Sequence, residues 1–140
     1  MAEGTGLIKR FYEEVVSGGN LDLIEELATE DMVDHEEGIP GQPPGLEGVR
    51  FFVNAMREAI PDIRPKESEP MLADGDLEAA RTVLTGTHQG ELMGVAPTGN
   101  TVEFETIDIV RVVDGKCAEH WGVTDVMALM QQVGAVPAPA

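Results

Sequence analysis

Asp108 stands inside an apolar, β-branched run, Ile107-Asp108-Ile109-Val110. A carboxyl group in the core of a strand is costly unless it is paired, protonated or at work. The run that follows closes on His120 and Trp121, and Asp114-Gly115 between the two is the sequence of a tight hairpin turn. Carboxyl and imidazole groups suit general acid–base chemistry, which needs a base near the working pH. Histidine, with an unperturbed pKa of about 6.5, is a suitable base. His35 precedes a Gly/Pro-rich loop, where a strand end would meet the mouth of a pocket.

Each of these residues also has a structural reading. Asp108 could form an ion pair with Arg81 or Arg111; alternation turns Arg111 to the other face of its own strand, so Arg81 is the favoured partner. His120 and Trp121 lie on opposite faces of a regular strand, and which of them points inward stays open. His35 could cap the loop backbone. His88 either lines a pocket or is solvated. Asp125 is favoured as the opening residue of a last helix over a role in binding. His35, His88 and His120 are far apart in the chain and form no close ligand pair, so no metal is expected. There is no phosphate-binding Gly-rich loop and no Gly-x-Ser-x-Gly elbow. The only serines, Ser17 and Ser68, sit in turn-like contexts, and Cys117 has no clear base. A covalent nucleophile is therefore not expected.

The elements that must position these groups are helices first and strands after. Leu7 to Ser17 reads as an amphipathic helix stopped by Gly18-Gly19. Asn20 reads as the N-cap of a short helix from Leu21 to Ala28. Met32 to His35 is a short extended piece, Gly38 to Gly45 a loop, and Leu46 to Ile60 a third helix ended by Pro61. Strands are expected over Ile63 to Met71, Leu77 to His88, Val102 to Val113 and Lys116 to Thr124. Pro65 and Pro70 confine the first of these to a sheet edge. A helix from Asp125 to Val133 precedes a Pro/Ala tail from about residue 135 that is expected to fray. This order points to one α+β domain over residues 1–140, a curved antiparallel sheet with helices packed across it. Its open mouth would be the pocket.

Composition narrows the partners. The chain has 140 residues, 42% of them hydrophobic, and a net charge of −17. Lys and Arg never cluster, which argues against nucleic acid and against an acidic membrane surface. There is no run of about 18 apolar residues to cross a membrane. Met1-Ala2-Glu3-Gly4 does not open a secretory signal, so a cytoplasmic protein is the default expectation.

Asp34-His35 with its Pro/Gly loop, Gly86-Thr87-His88-Gln89-Gly90-Glu91, Gly94 to Gly99, and Val113-Asp114-Gly115-Lys116 followed by Glu119-His120-Trp121 and Asp125 resemble, in combination, the SnoaL-like polyketide cyclase (ester cyclase) family. Gln131-Gln132-Val133-Gly134 is similar to the family's C-terminal signature, and the resemblance runs from Leu7 to Gly134. It implies an NTF2-like cone, with about three N-terminal helices and a short C-terminal one. It also implies a cofactor-independent cyclase of lyase or isomerase type in secondary metabolism. A more distant resemblance is to ketosteroid isomerases. It implies Asp108 as a protonated hydrogen-bond donor, Tyr12 as the oxyanion-binding tyrosine, His35 at the position of the base, and Trp121 as a pocket tryptophan. Tyr12 could equally be plain core.

Together these give His35, Asp108 and His120 as candidate catalytic residues, and Tyr12, Arg81, His88, Trp121 and Asp125 as candidate substrate contacts. One departure stands out: the aldol cyclases of the family place an acidic residue two positions beyond His120, where this chain has Gly122. Their pocket histidine is matched by Asp108. The chain is therefore expected to use other groups or to catalyse another step. The rival expectations are an isomerase, dehydratase or hydrolase on the same scaffold, or a non-catalytic binder of an apolar small molecule. A homodimer is expected through the outer sheet face of Glu103, Glu105, Ile107, Ile109 and Arg111.

Overall fold

The computed structural model describes residues 4–36 and 38–137. The expectations for residues 1–3 and for the last residues of the tail lie outside the described residues.

The first helix, α1 (Leu7–Arg10), widens into a π-helical stretch (Phe11–Ser17). It buries Leu7, Ile8, Tyr12, Val15 and Val16 on one side. Its C-terminal carbonyls are satisfied by Arg57, whose Nη1 donates to Val16 O at 2.8 Å and to Ser17 O at 2.7 Å. The second helix is shorter than expected. A 3₁₀ turn (Leu21–Leu23) leads into α2 (Ile24–Leu27), and Asn20 makes no side-chain cap. Ala28 already opens β1 (Ala28–Asp34), because extended pairing to another strand overrides a weak local helix preference. Helix α3 (Gly45–Ala59) buries Val53, Met56 and Ala59 and ends before Pro61 as anticipated.

Strands β2 (Arg64–Glu67) and β3 (Met71–Asp74) replace the single strand expected over Ile63 to Met71. Both lie against β4 (Leu77–Thr87), and the Asp74-Gly75-Asp76 segment is the β3–β4 connection. The long β5 (Thr101–Val113) and β6 (Lys116–Thr124) form the predicted hairpin. Asp114 and Gly115 both have positive φ, 51° and 78°, which is what a two-residue turn between twisted strands requires. The strand order is β1-β6-β5-β4-β2 with β3 also on β4. The sheet is mixed rather than wholly antiparallel, because β1 runs parallel to β6, with Asp34 opposite His120.

Alternation along β5 sorts its side chains. Val102, Phe104, Thr106, Asp108 and Val110 are buried, whereas Glu103, Glu105, Ile107 and Ile109 are exposed. The inner face packs against α1, α2 and α3 in one core. Helix α4 (Val126–Gln132) is fastened to the edge of β5 by Gln132, whose amide donates to Glu103 O and accepts from Glu103 N–H, each at 2.7 Å. The result is a cone with an open mouth. Among the described residues, no helix is long and apolar enough to cross a membrane.

Candidate active site

Three strands bring their inward-facing polar residues to one place on the cone wall. In the β5–β6 register Val110 faces His120 and Asp108 faces Gly122, so His120 and Gly122 share the inner face. Trp121 pairs with Ile109 and therefore points outward. From the other side Asp34, at the end of β1, lies beside His120.

The contacts form a chain. Tyr12 Oη donates to Asp108 Oδ2 at 2.8 Å, and Thr106 Oγ1 donates to the same oxygen at 3.1 Å. Asp108 Oδ1 lies 2.8 Å from His120 Nε2, and Asp34 Oδ1 lies 2.8 Å from His120 Nδ1. Burial alone would lower the pKa of His120, but the hydrogen bonds and charges of Asp108 and Asp34 outweigh it and push it up to about 10. His120 is thus an imidazolium at neutral pH, donating from both nitrogens. Asp108 takes part in three hydrogen bonds, with Tyr12, Thr106 and His120. Tyr12 is held neutral: burial first, then the charge of Asp108, raises its pKa well above the ordinary phenol value.

Glu36, which sequence reasoning missed, completes the cluster. It is the second residue past the end of β1, and its side chain turns back into the cone. Thr124 Oγ1 donates to its Oε2 at 3.3 Å. Burial is the main cause that raises its pKa, with the charges of Asp108 and Asp34 adding to it against His120. The available signal was alternation. Once Asp34 faces inward, the next inward position is Glu36, not His35.

Apart from Gln42, the rest of the pocket is mainly apolar. Leu7, Ile8, Phe11, Ile24, Leu27, Met32, Val49 and Phe52 line it, with Val110 and Cys117 on the sheet side. Burial pushes the Cys117 thiol up to about 11, which removes it as a nucleophile. Glu36, Asp108 and His120 offer ligand atoms within 4.8 Å of one another. Each nitrogen of His120 lies 2.8 Å from a carboxylate oxygen, Nδ1 from Asp34 and Nε2 from Asp108.

Several expected site residues lie elsewhere. His35 is on the outer face: its ring stacks on Trp121 with centroids 5.0 Å apart, and its Nε2 lies 2.8 Å from Glu119 Oε2. The pairing of β1 with β6 places Asp34 inward, and the next residue must face the other way. Trp121 is outside for the same reason, so it is His120 that enters the cone. Arg81 pairs with Ile107 on the outer face and binds Glu67 and Glu105, not Asp108. His88 is fully buried away from the pocket. It ties down the loop after β4 through Thr98, which approaches its Nδ1 at 3.0 Å. Asp125 caps α4, accepting from Ala128 N–H at 3.0 Å. Of the expected set, Tyr12, Asp108 and His120 converge in the pocket, and His35, Arg81, His88, Trp121 and Asp125 do not.

Comparison with known proteins agrees with this architecture. The family model described as SnoaL-like polyketide cyclase matches residues 6–133. The aklanonic acid methyl ester cyclase AcmA of Streptomyces galilaeus is 41% identical over 139 residues, covering 96% of this chain and 92% of the relative. The nogalonic acid methyl ester cyclase of Streptomyces nogalater is 29% identical over 122 residues, covering 83% of this chain and 87% of the relative. Among solved structures, IdmH from Streptomyces antibioticus superposes with a TM-score of 0.77 at 32% identity, covering 95% of this chain and 99% of that one. With the cone, the inward polar cluster and a match over nearly its whole length, the chain belongs to the SnoaL-like polyketide cyclase family.

Proposed function

We propose that the protein closes a ring on a polyketide-like carbonyl compound through an enol or enolate, without a cofactor, and that Asp108 and His120 are essential to that chemistry. The observation that carries this reading is the buried chain Tyr12–Asp108–His120–Asp34 opening onto an apolar pocket. An apolar wall favours folding a flexible chain into one reactive geometry, which supplies much of the rate in a cyclisation. The imidazolium of His120, fixed before substrate arrives, favours negative charge developing on a nearby oxygen. Asp108 and Asp34 hold its orientation and charge. Two proteins similar to the chain are named as cyclases of aklanonic acid methyl ester and nogalonic acid methyl ester, which supports a methyl ester as the substrate here too.

The test is deuterium exchange at the α-carbon of a panel of 1,3-dicarbonyl compounds, benzoylacetone among them, followed by NMR. Wild-type protein is expected to accelerate exchange, and Asp108→Asn and His120→Gln to lower it by about a hundredfold. Equal rates in all three proteins would sink the proposal and favour a binding role.

The outer sheet face supports a second copy of the chain as partner. Ile107, Ile109 and Val123 are exposed there, at 53%, 39% and 74%. Sedimentation is expected to show a dimer that Ile107→Glu dissociates; a wild-type monomer would contradict it.

A further inference from the structure

We infer that Glu36 is the group that exchanges a proton with the substrate, occupying the space that a side chain on residue 122 would fill. The inference rests on the ring-closing role just proposed and assigns its acid–base residue.

The geometry at Gly122 is the first argument. A Cβ built there would lie 2.5 Å from Glu36 Oε1, 2.9 Å from Asp108 Oδ1 and 2.9 Å from His120 Cε1. The missing side chain on β6 is thus not an empty volume. A carboxyl group from the end of β1 fills it, and the acidic group that the family resemblance places on β6 is supplied by another strand. A side chain on residue 122 would require the Glu36 carboxyl to move out of the place it now occupies.

The second argument is which groups are free to react. His120 has both nitrogens engaged, by Asp34 and Asp108. Asp108 has one oxygen on His120 and the other receiving the Tyr12 and Thr106 hydroxyls. Glu36 is held only by its backbone N–H to Asp34 and by Thr124 on Oε2. Among the described residues, its Oε1 has no hydrogen-bond partner, and the residue lines the pocket.

The third argument is charge. The groups facing Glu36 are His120 from β6, Asp108 from β5, Asp34 from β1 and Tyr12 from the first helix. Burial disfavours a charge on Glu36, and two carboxylates already outnumber the one imidazolium, so a third negative charge is disfavoured further. The carboxyl therefore binds its proton more tightly than an ordinary glutamate, which makes its anion a stronger base.

One carboxyl can then carry out both halves of the reaction. Glu36 carboxylate removes a proton from carbon between two carbonyls, and the C–H electron pair becomes the enolate. The enolate carbon bonds to a ketone carbon of the same molecule. The ketone π pair moves to its oxygen, which takes the proton back from Glu36. The substrate is isomerised, Glu36 is restored, and no co-reactant is consumed. The Tyr12 hydroxyl and the His120 imidazolium form the polar frame around this exchange.

The experiment compares wild type, Glu36→Gln, Glu36→Ala and Glu36→Ala with Gly122→Asp, using benzoylacetone exchange across pH. Wild-type exchange is expected to rise with pH through a pKa above the usual carboxylate range. Glu36→Gln should lower exchange by about a hundredfold and abolish that rise, with its melting temperature essentially unchanged. Returning a carboxyl from β6 with Gly122→Asp should recover at least about tenfold over Glu36→Ala. In parallel, the Glu36 carboxyl carbon, followed by NMR, should titrate above the ordinary range and shift when benzoylacetone binds. Wild-type exchange in Glu36→Gln, alongside loss in Asp108→Asn, would overturn this assignment and leave the proposed function standing. A lower rate with an unchanged pH profile and no recovery by Gly122→Asp would mark Glu36 as structural only, and overturn it too. No exchange in wild type would overturn both.

Discussion

The β5–β6 hairpin carries a histidine–carboxylate contact near each of its faces, both at 2.8 Å, and they are not equivalent. Inside, His120 sits between Asp108 and Asp34, with 19% of its side chain exposed and only 7% of that of Asp108. Outside, His35 meets Glu119 with 41% and 30% exposed, and Arg111 shares the same carboxylate. Each pairs a histidine with a carboxylate at the same distance, but the surroundings differ. Water and salt screen the outer pair, so it contributes little beyond the stacking of His35 on Trp121. The inner pair has lost its water, so each charge depends on the other, and the His120 pKa is displaced as a result. A contact of this kind acquires chemical meaning from the face it lies on.

The largest expected effect comes from removing one partner on each face. Asp108→Ala should destabilise the protein by about 3–5 kcal/mol, because it leaves a buried imidazolium facing an unfilled site. Glu119→Ala should cost far less, because both its partners reach water. Urea denaturation of the two variants measures the contrast, and equal losses would break it. The same contrast has a pH signature. His120 has a folded pKa above its unfolded value, so its stabilisation is complete below about pH 6.5. It is lost as pH rises towards its folded value of about 10. Glu119 is shifted the other way, lowered by the His35 hydrogen bond and then by Arg111. Its contribution is present above the ordinary glutamate value and is lost only as pH falls through the lowered one. Stability that declines from neutral to alkaline pH, with the decline absent in His120→Gln, is the expected result.

A smaller effect is expected at Gly122. Gly122→Ala places a methyl group against Glu36, Asp108 and His120 and should cost about 1–3 kcal/mol by overpacking. Met127→Ala, exposed on α4, should stay within about 0.5 kcal/mol. If both substitutions are silent in thermal melts, the cluster is looser than its geometry indicates.

The comparison also shows what could be read from the chain. The β5–β6 hairpin, its turn, and the sorting of Glu103 to Ile109 from Val102 to Val110 follow from period-two alternation. Such a pattern is strong in a long strand with one wet face. The same rule implied that His120 and Trp121 divide between the faces, but not which went inward. His35 was misplaced by a single position. In a strand, one residue of register exchanges the two faces, and the Pro/Gly loop beyond it offers no periodicity to set that register. Glu36 was missed for the same reason. Arg81 was expected as a substrate contact, and was favoured over Arg111 as an ion-pair partner of Asp108 because alternation turns Arg111 to the other face. Strand register instead places Arg81 opposite Ile107, outside.

Sequence alone settled the local and periodic features: helices before strands, the Asp114-Gly115 turn, the interior position of Asp108 and the acidic charge balance. These depend on backbone preference and on alternation, which act over a few residues at a time. Tertiary structure alone decided the parallel pairing of β1 with β6, and with it the meeting of Asp34, Glu36, Asp108, His120 and Tyr12. That meeting joins residues distant in the chain, and no local preference encodes their distances. It is set by packing of the helices into the cone and by strand register, which together determine which charges lose their water.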